Sequence, residues 1–355
     1  MTYYTKKVAQ QWDQELENRK RPVVIVLDAM GGDGGPKNNI DGAIEAISEA
    51  EDLKIKLVGQ RPKIKEVIGK RFLPPEIEIV HADEVVGMGD KATKAIRNSD
   101  NSITKGLELV WKKKADGFVS MGNTGAVVAS SLIGLGRIGG ILRPALMTPF
   151  PTELKKPALV LDVGASVDCK PEHLYQFAIM GSVYAEKVLL RKNPKVALLS
   201  IGEEPGKGNA VVKKTYKMLS NTDLNFIGNI ESRDIISGKA DIIVCDGFIG
   251  NTLLKFAEST FKHLKKAFMK GKALSFRLVF GGFMLLPTIV GMMRDYDYRE
   301  YGGAPLMGVR GNVIIGHGRS TPKAIKNAIL LAQKMALGNL EKAIHEKLEM
   351  EKPDA

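Results

Sequence analysis

Residues 22–36, PVVIVLDAMGGDGGP, are an apolar, β-branched run that ends in a glycine-rich loop. β-Branched residues favour strands, and clustered Gly and Pro mark the end of a regular element. The stretch therefore predicts a buried strand that delivers Asp28 and a flexible backbone to one edge of a sheet.

The same unit recurs along the chain. Further β-branched runs occupy residues 55–58, 77–80, 117–120, 158–163, 195–201, 224–228, 242–245 and 312–315. Segments with helical spacing lie between them, among them 174–190, 210–219 and 324–348. This alternation predicts an α/β protein with three layers, in which helices cover both faces of a mostly parallel sheet.

Five of the runs are followed by Gly together with acidic or amide residues. These loops are 28–36, 121–125, 162–166, 202–209 and 246–251. Ligands bind beyond the carboxyl ends of parallel strands, so we expect the five loops to share one rim. Gly and Asn also suit ordinary tight turns, but Gly before a helix lets backbone N–H groups face an anion. Five equivalent loops favour a phosphate-binding site.

Composition narrows the possible functions. The 355 residues are 44% hydrophobic and 26% charged, which is typical of a globular chain. The net charge of +12 favours an anionic partner such as nucleic acid, a phosphate ester, an acidic protein or an anionic membrane. Only two cysteines occur, and they are 76 positions apart. We therefore expect no disulfide framework and a protein of the reducing cytoplasm.

The sequence does not match the known nucleotide-binding and hydrolase motifs when it is compared with them position by position. Residues 32–37 place Lys37 where a dinucleotide fingerprint needs its third Gly, and residues 202–208 lack the spacing of a phosphate-binding P-loop. Residues 164–168 end in Asp168 where a nucleophile elbow needs Gly. NAD, ATP and a hydrolase triad are therefore disfavoured.

Cations near the predicted rim can hold an anion. Lys91, Lys94 and Arg97 follow helical spacing and share one face, which is equally typical of a solvated surface. His317 lies at the end of the last predicted strand, where a titratable group is useful. Cys169 and His173 resemble a nucleophile and its base, but Pro171 between them favours an ordinary small cysteine.

The chain divides into three parts. We expect residues 1–21 to be a polar extension and not a signal peptide, 22–349 to be the α/β unit, and 350–355 to be a tail. An amphipathic, apolar insertion at about 253–300 interrupts the alternation, and it lacks the ~20 continuous apolar residues that a membrane span needs. We expect it to contact a membrane or the second subunit of a dimer through Leu253, Ala257, Phe261, Phe283 and Leu285.

Read together, the loops resemble those of the bacterial phosphate acyltransferase family of phospholipid synthesis. The matching stretches are 27–33, 122–125 with 143–146, 161–165, 176–182, 201–204, 246–251 and 317–318. The resemblance covers roughly residues 22–340. The chain also departs from the family's pattern. Ser166 stands where the family usually has Asn, Ala92 and Thr93 stand where it has Pro-Ser, and Met121 stands where it has Ala.

The resemblance implies a fold similar to that of isocitrate and isopropylmalate dehydrogenases, shared with phosphotransacetylases. It implies transfer of a fatty acyl group from acyl-acyl carrier protein to inorganic phosphate, by direct attack on the thioester, with no metal and no cofactor. The expected catalytic residues are Asp162, Asp246, Asn251 and His317. Phosphate or substrate is expected at Asp28, Gly31, Gly32, Asp33, Lys91, Arg97, Gly122, Asn123, Thr124, Gly125, Gly164 and Ala165.

The expected setting follows from the same resemblance. The product, acyl phosphate, serves a membrane-embedded glycerol-3-phosphate acyltransferase, so the enzyme is expected to be a cytoplasmic homodimer at the inner face of the cell membrane. It is not expected to bind nucleic acid. Three alternatives stay open: a phosphotransacetylase-like enzyme using acyl-CoA, a nicotinamide dehydrogenase of the same fold, and a non-catalytic membrane-associated scaffold.

Overall fold

The computed structural model describes residues 21–154, 156–270 and 302–351. Within these residues eleven strands form one sheet in the order β3-β2-β1-β4-β11-β10-β5-β6-β9-β7-β8. The strands are β1 (Val23–Asp28), β2 (Leu53–Gly59), β3 (Ile77–His81), β4 (Gly117–Ser120), β5 (Ala145–Phe150), β6 (Ala158–Leu161), β7 (Val196–Leu199), β8 (Phe226–Ile230), β9 (Ile242–Val244), β10 (Ala304–Met307) and β11 (Asn312–Ile315).

Eleven helices of the described residues connect and cover these strands. They are α1 (Gly35–Glu49), α2 (Arg61–Ile68), α3 (Ala92–Arg97), α4 (Ser102–Trp111), α5 (Thr124–Gly134), α6 (Pro171–Lys187), α7 (Ala210–Leu219), α8 (Asp234–Ser237), α9 (Gly247–Lys270), α10 (Pro322–Leu337) and α11 (Leu340–Met350).

Both faces of the sheet are buried. Side chains alternate along a strand, and in β1 this places Ile25 and Leu27 in one hydrophobic core and Val26 in another. The first core also contains residues of α1, α6 and α10, and the second contains residues of α4 and α5. The predicted three-layer α/β architecture is therefore confirmed.

The sheet is mostly parallel, with three exceptions that lie together at its centre. Strand β10 is antiparallel to both of its neighbours, β11 and β5, and β5 is antiparallel to β6. The other seven pairings are parallel. Three reversals between β11 and β6 mean that β6 to β9 run opposite to β1 to β4 and β11.

Two strands and one helix break were not predicted. Strands β5 and β10 contain Pro149 and Pro305, and proline argues against a central strand because it cannot donate to the ladder. The helical segment predicted at 324–348 is two helices, because Asn339 adopts a left-handed conformation with φ of 46°. The break turns α11 back against α6.

Candidate functional site

Asp28, at the carboxyl end of β1, joins the loops that follow β1 and β4. Its carboxylate is buried and accepts hydrogen bonds from Met30 N (3.0 Å) and Ser120 Oγ (2.7 Å). Ser120 in turn accepts a hydrogen bond from Gly122 N at 3.0 Å. Burial raises the pKa of Asp28, and the hydrogen bonds from Ser120 and Ser102 oppose that rise. Asp28 therefore holds backbone in place rather than facing solvent.

Close backbone contacts hold the first glycine loop against its neighbours. A Cβ atom on Gly31 would lie 2.7 Å from Gly122 N, so no other residue fits there without displacement. Gly32 has a φ of 87°, and Asp33 N donates to Gly318 O at 2.6 Å. The loops after β1, β4 and β11 therefore meet in one place.

The amino terminus of α5 opens onto this place. Asn123 caps the helix, because its Oδ1 accepts a hydrogen bond from Ala126 N at 3.0 Å. Its Nδ2 donates to Asp90 O (2.8 Å) and Met88 O (3.0 Å), which fixes the neighbouring loop. Thr124 and Gly125 are exposed in the first helical turn. Helix amino termini with exposed first turns attract anions.

Two exposed cations flank the short helix α3, which packs beside α5: Lys91 before its first residue and Arg97 as its last. Lys91 and Arg97 are exposed, and neither forms an ion pair with any residue in the described ranges. Lys94, by contrast, is bound to Asp90 at 2.8 Å. A Cβ atom on Gly125 would lie 3.7 Å from Cβ of Ala92, which follows Lys91 directly. The backbone of Lys91 thus lies beside the first turn of α5.

His317 and Asp33 complete the exposed part of this first group of loops. Nδ1 of His317 accepts a hydrogen bond from Arg319 N at 3.1 Å. In a neutral imidazole the other nitrogen, Nε2, then carries the proton and can donate it to an oxygen. Asp33 is exposed and lies 3.8 Å from Nε of Arg319.

Asp162 organises a second group of loops, after β6 and β9. It is fully buried, and its carboxylate accepts hydrogen bonds from four backbone N–H groups, those of Leu146 (2.8 Å), Gly164 (3.0 Å), Ala165 (2.9 Å) and Ser166 (2.5 Å). Burial raises the pKa of Asp162, and the four hydrogen bonds oppose that rise. The carboxylate is committed to shaping the loop.

Asp246 and Asn251 lie next to that loop, at the start of α9. Oδ1 of Asp246 accepts a hydrogen bond from Ile249 N at 2.8 Å, so Asp246 caps the helix. Asn251 is exposed, and a Cβ atom on Gly164 would lie 3.6 Å from its Cβ. Of the polar residues predicted in this second group, Asn251 is the one whose side chain faces solvent.

Cys169 is not set up as a nucleophile. Its Sγ donates to Ser166 O at 3.3 Å, and burial beside the Asp162 carboxylate raises the thiol pKa to about 11. Nδ1 of His173 accepts a hydrogen bond from Lys170 N at 3.0 Å, and burial with nearby Arg143 lowers the pKa of His173. The thiol therefore stays protonated at neutral pH.

The two groups of loops do not follow parallel strands. Loops after β1, β4 and β11 contact one another, as do those after β6 and β9, but the strands of the two groups run in opposite senses across β10 and β5. The expectation of one rim formed by parallel strands is therefore wrong. Its cause is the pair of central strands that the sequence did not reveal.

The residues predicted to contact a membrane or a partner subunit divide as follows. Leu253 and Ala257 are half-buried and pack against the second core. The side chain of Phe261 lies outside the described residues, as do Phe283 and Leu285. Phe248 and Phe256, which were not predicted, are exposed on α9. None of the described helices combines the length and the apolar character needed to cross a bilayer.

Two residues with a role in the site were missed. Ser120 links Asp28 to Gly122, as described above. Asn39 is buried in the first turns of α1 and donates to the carbonyls of Ala29 and Gly31, at 3.0 and 2.9 Å. Both are ordinary polar residues inside regular elements, and nothing in their spacing marks them.

The sequence matches a family model and curated proteins over most of its length. Residues 23–342 match a family model described as "Fatty acid synthesis protein". A curated phosphate acyltransferase from Dictyoglomus turgidum is 48% identical over 327 residues, which are 91% of this chain and 97% of that protein. One from Campylobacter concisus is 46% identical over 324 residues, covering 91% and 98%.

Solved structures show the same fold at low sequence identity. A phosphotransacetylase from Streptococcus pyogenes superposes with a TM-score of 0.59 at 18% identity, covering 93% of this chain and 98% of that one. The EutD phosphotransacetylase from Staphylococcus aureus gives a TM-score of 0.55 at 15% identity. Together with the close curated relatives, these matches mean that the chain belongs to the bacterial phosphate acyltransferase family, whose members transfer acyl groups to phosphate.

Proposed function

We propose that inorganic phosphate binds at the amino terminus of α5, between the backbone of residues 122–125 and the side chains of Lys91 and Arg97. The observation that carries this proposal is the exposed first turn of α5 beside the backbone of Lys91, which, like Arg97 on the same short helix, has no ion pair to a described residue. A helix terminus and two positive charges complement a phosphate dianion. The loops held by Asp28, Gly31, Gly32 and Asp33 form the floor of this site.

The reaction that we propose is direct attack. A phosphate oxygen bonds to the thioester carbonyl carbon, and the C–S bond breaks, giving acyl phosphate and a thiolate that takes up a proton from solvent. The negative charge that develops on the carbonyl oxygen needs preorganised donors. The proposed donors are the imidazole of His317, in the first group of loops, and the exposed amide of Asn251, in the second, so the proposal requires both groups to border one cleft. The protonated Cys169 thiol favours direct attack over an acyl-enzyme.

Asp162 and Asp246 act in this scheme as positioning residues. Asp162 fixes the backbone of Gly164 and Ala165, and Asp246 fixes the start of the helix that bears Asn251. Their contribution is the geometry of the loops, because both carboxylates accept hydrogen bonds from the backbone.

The acyl donor that we propose is acyl-acyl carrier protein. That carrier is acidic, and a net charge of +12 steers an acidic partner towards the enzyme. The alternative donor is acyl-CoA, as for phosphotransacetylases. Thiol release measured with each donor at equal concentration, with and without phosphate, decides between them. Carrier-dependent release that falls steeply with added salt is expected, and faster release from acyl-CoA would contradict the proposal.

The phosphate site is tested with Lys91→Ala, compared with Lys94→Ala. Removing Lys91 is expected to raise KM for phosphate roughly tenfold and to leave KM for the acyl donor nearly unchanged. Lys94 is engaged by Asp90, so its removal is expected to change KM for phosphate by less than about twofold. Equal effects of the two substitutions would refute the assignment.

We also propose a cytoplasmic homodimer that binds reversibly to the inner face of the cell membrane, where a membrane glycerol-3-phosphate acyltransferase consumes the acyl phosphate. Exposed Phe248 and Phe256 on α9, together with exposed Lys255, Lys262 and Lys266, support an anionic membrane surface as the partner. The apolar composition of residues 276–293 supports it further.

Vesicle sedimentation tests the membrane proposal. The double substitution of Phe283 and Leu285 by Glu is expected to abolish sedimentation with phosphatidylglycerol vesicles and to leave acyl transfer in solution intact. Added salt is expected to weaken binding of the unmodified protein. Loss of both the dimer and the activity would instead place the segment in the subunit interface.

A further inference from the structure

Helix α5 carries no charged residue. Its sequence, TGAVVASSLIG, would suit a helix enclosed on all sides. Yet only part of it is buried, because Ile133 is 66% exposed and Val128, Ala129 and Leu132 are half-buried. An uncharged helix with an open side indicates a surface that is covered during function.

The accessible residues form one continuous stripe. Gly125, Val128 with Ala129, and Leu132 with Ile133 recur at intervals of about four residues, so they lie along the same side of the helix. Ala92 faces Gly125, and Ile96, one turn further along α3 and 39% exposed, extends the apolar surface beside it. We call these residues the α5 stripe.

The stripe begins at the proposed phosphate site. In acyl phosphate the acyl chain is bonded to the phosphate, so the chain must leave that site over an adjoining surface. Two other described borders of the site are charged, Lys91 with Asp90 and Asp33 with Arg319, and exposed Met88, beside Gly318, is a single apolar side chain rather than a stripe. The α5 stripe is therefore the extended apolar surface that continues from the phosphate site.

We propose that the α5 stripe binds the fatty acyl chain of the substrate and sets the preference for chain length. This inference rests on the proposed function, and it adds the path of the chain. Ile133 lies nine positions after Thr124, or roughly 13 Å along the helix axis. An octanoyl chain ends before Ile133 and a palmitoyl chain passes it.

The test is the chain-length dependence of KM, measured with octanoyl, dodecanoyl and palmitoyl thioesters at saturating phosphate. In the unmodified protein each buried methylene is expected to lower KM by up to about fourfold. Ile133→Glu is expected to raise KM for palmitoyl thioester at least about tenfold and to leave octanoyl within about twofold. Ile133→Leu, unlike Ile133→Glu, should keep KM for palmitoyl thioester near that of the unmodified protein.

Phe72→Glu is the matched control, because Phe72 is 80% exposed near the outer strand β3 and lies apart from the stripe. It is expected to leave all three KM values unchanged. Sedimentation velocity of Ile133→Glu is run in parallel. If Ile133→Glu raised KM equally for all three chain lengths, or dissociated a dimer, the stripe would be assigned to contact with a second copy of the chain and the proposal would be overturned. Lys91→Ala reports separately on the phosphate site.

Discussion

The substitution Asp162→Asn tests whether the Asp162 carboxylate positions its loop or reacts with the substrate. The substitution keeps the size of the side chain but replaces one carboxylate oxygen by an NH2 group. If the amide oxygen keeps the three hydrogen bonds from Leu146, Gly164 and Ala165, then the NH2 group faces Ser166 N–H, and two donors oppose each other. One buried N–H is left unsatisfied, at about 1–3 kcal/mol.

The three remaining hydrogen bonds also lose the charge that strengthens them. Neutral Asn is easier to bury than a carboxylate, which offsets part of that loss. The expected net effect is a decrease of about 2–4 kcal/mol in the free energy of unfolding, measured by urea titration. Acyl transfer should fall as well, since the Gly164 loop would lose its shape.

Asp246→Asn is the control, because Asp246 caps α9 with a single hydrogen bond from Ile249 N, and Asn caps helices as well as Asp does. Its expected loss of stability is below about 0.5 kcal/mol. If Asp162→Asn abolished turnover without changing the urea midpoint, Asp162 would be a reacting group and the positioning argument would be refuted.

Three further predictions address other side chains. Cys169→Ala should leave turnover within about twofold, because the protonated thiol plays no part in direct attack, and trapping of an acylated protein would contradict this. His317→Ala should lower kcat at least about tenfold if Nε2–H stabilises the oxyanion, whereas a change confined to KM would make His317 a binding residue. Lys334→Met should raise the free energy of unfolding at pH 7 by about 1–3 kcal/mol, because burial lowers the pKa of Lys334 to about 8, below its value in the unfolded chain. The unmodified protein then gains stability as pH rises from about 8 towards 10, so the advantage of the variant should shrink over that range, and a constant difference in urea titrations would exclude this cause.

Local patterns allowed most of the fold to be predicted from the sequence. β-Branched runs located nine of the eleven strands of the described residues, since buried parallel strands are short and apolar. Strands β5 and β10 escaped because each contains a proline, and a strand with proline is recognised only from its partners. The directions of the two halves of the sheet depend on those two strands, so they could not be predicted either.

The candidate site was predictable to a similar depth. Glycine loops after strands located Gly31, Gly122 and Gly164, because close backbone approach needs that residue type. The sequence could not show that Asp28 and Asp162 point into the protein rather than towards a ligand. Acidic residues at strand ends look alike in sequence, and only the backbone N–H groups around them distinguish the two roles.

The position of β11 has a consequence during synthesis of the chain. Strand β4 lies between β1 and β11, yet about 190 residues separate β4 from β11 along the chain, and α10 packs on α1 from the same distant segment. A nascent chain that has emerged through β9 therefore exposes β4 as an unpaired edge, which is prone to pair with other chains. The amino-terminal half is completed only when β11 and α10 have left the ribosome, and pairing across so long a separation is slow. Ribosome-bound intermediates that lack β11 are where aggregation or chaperone binding should concentrate.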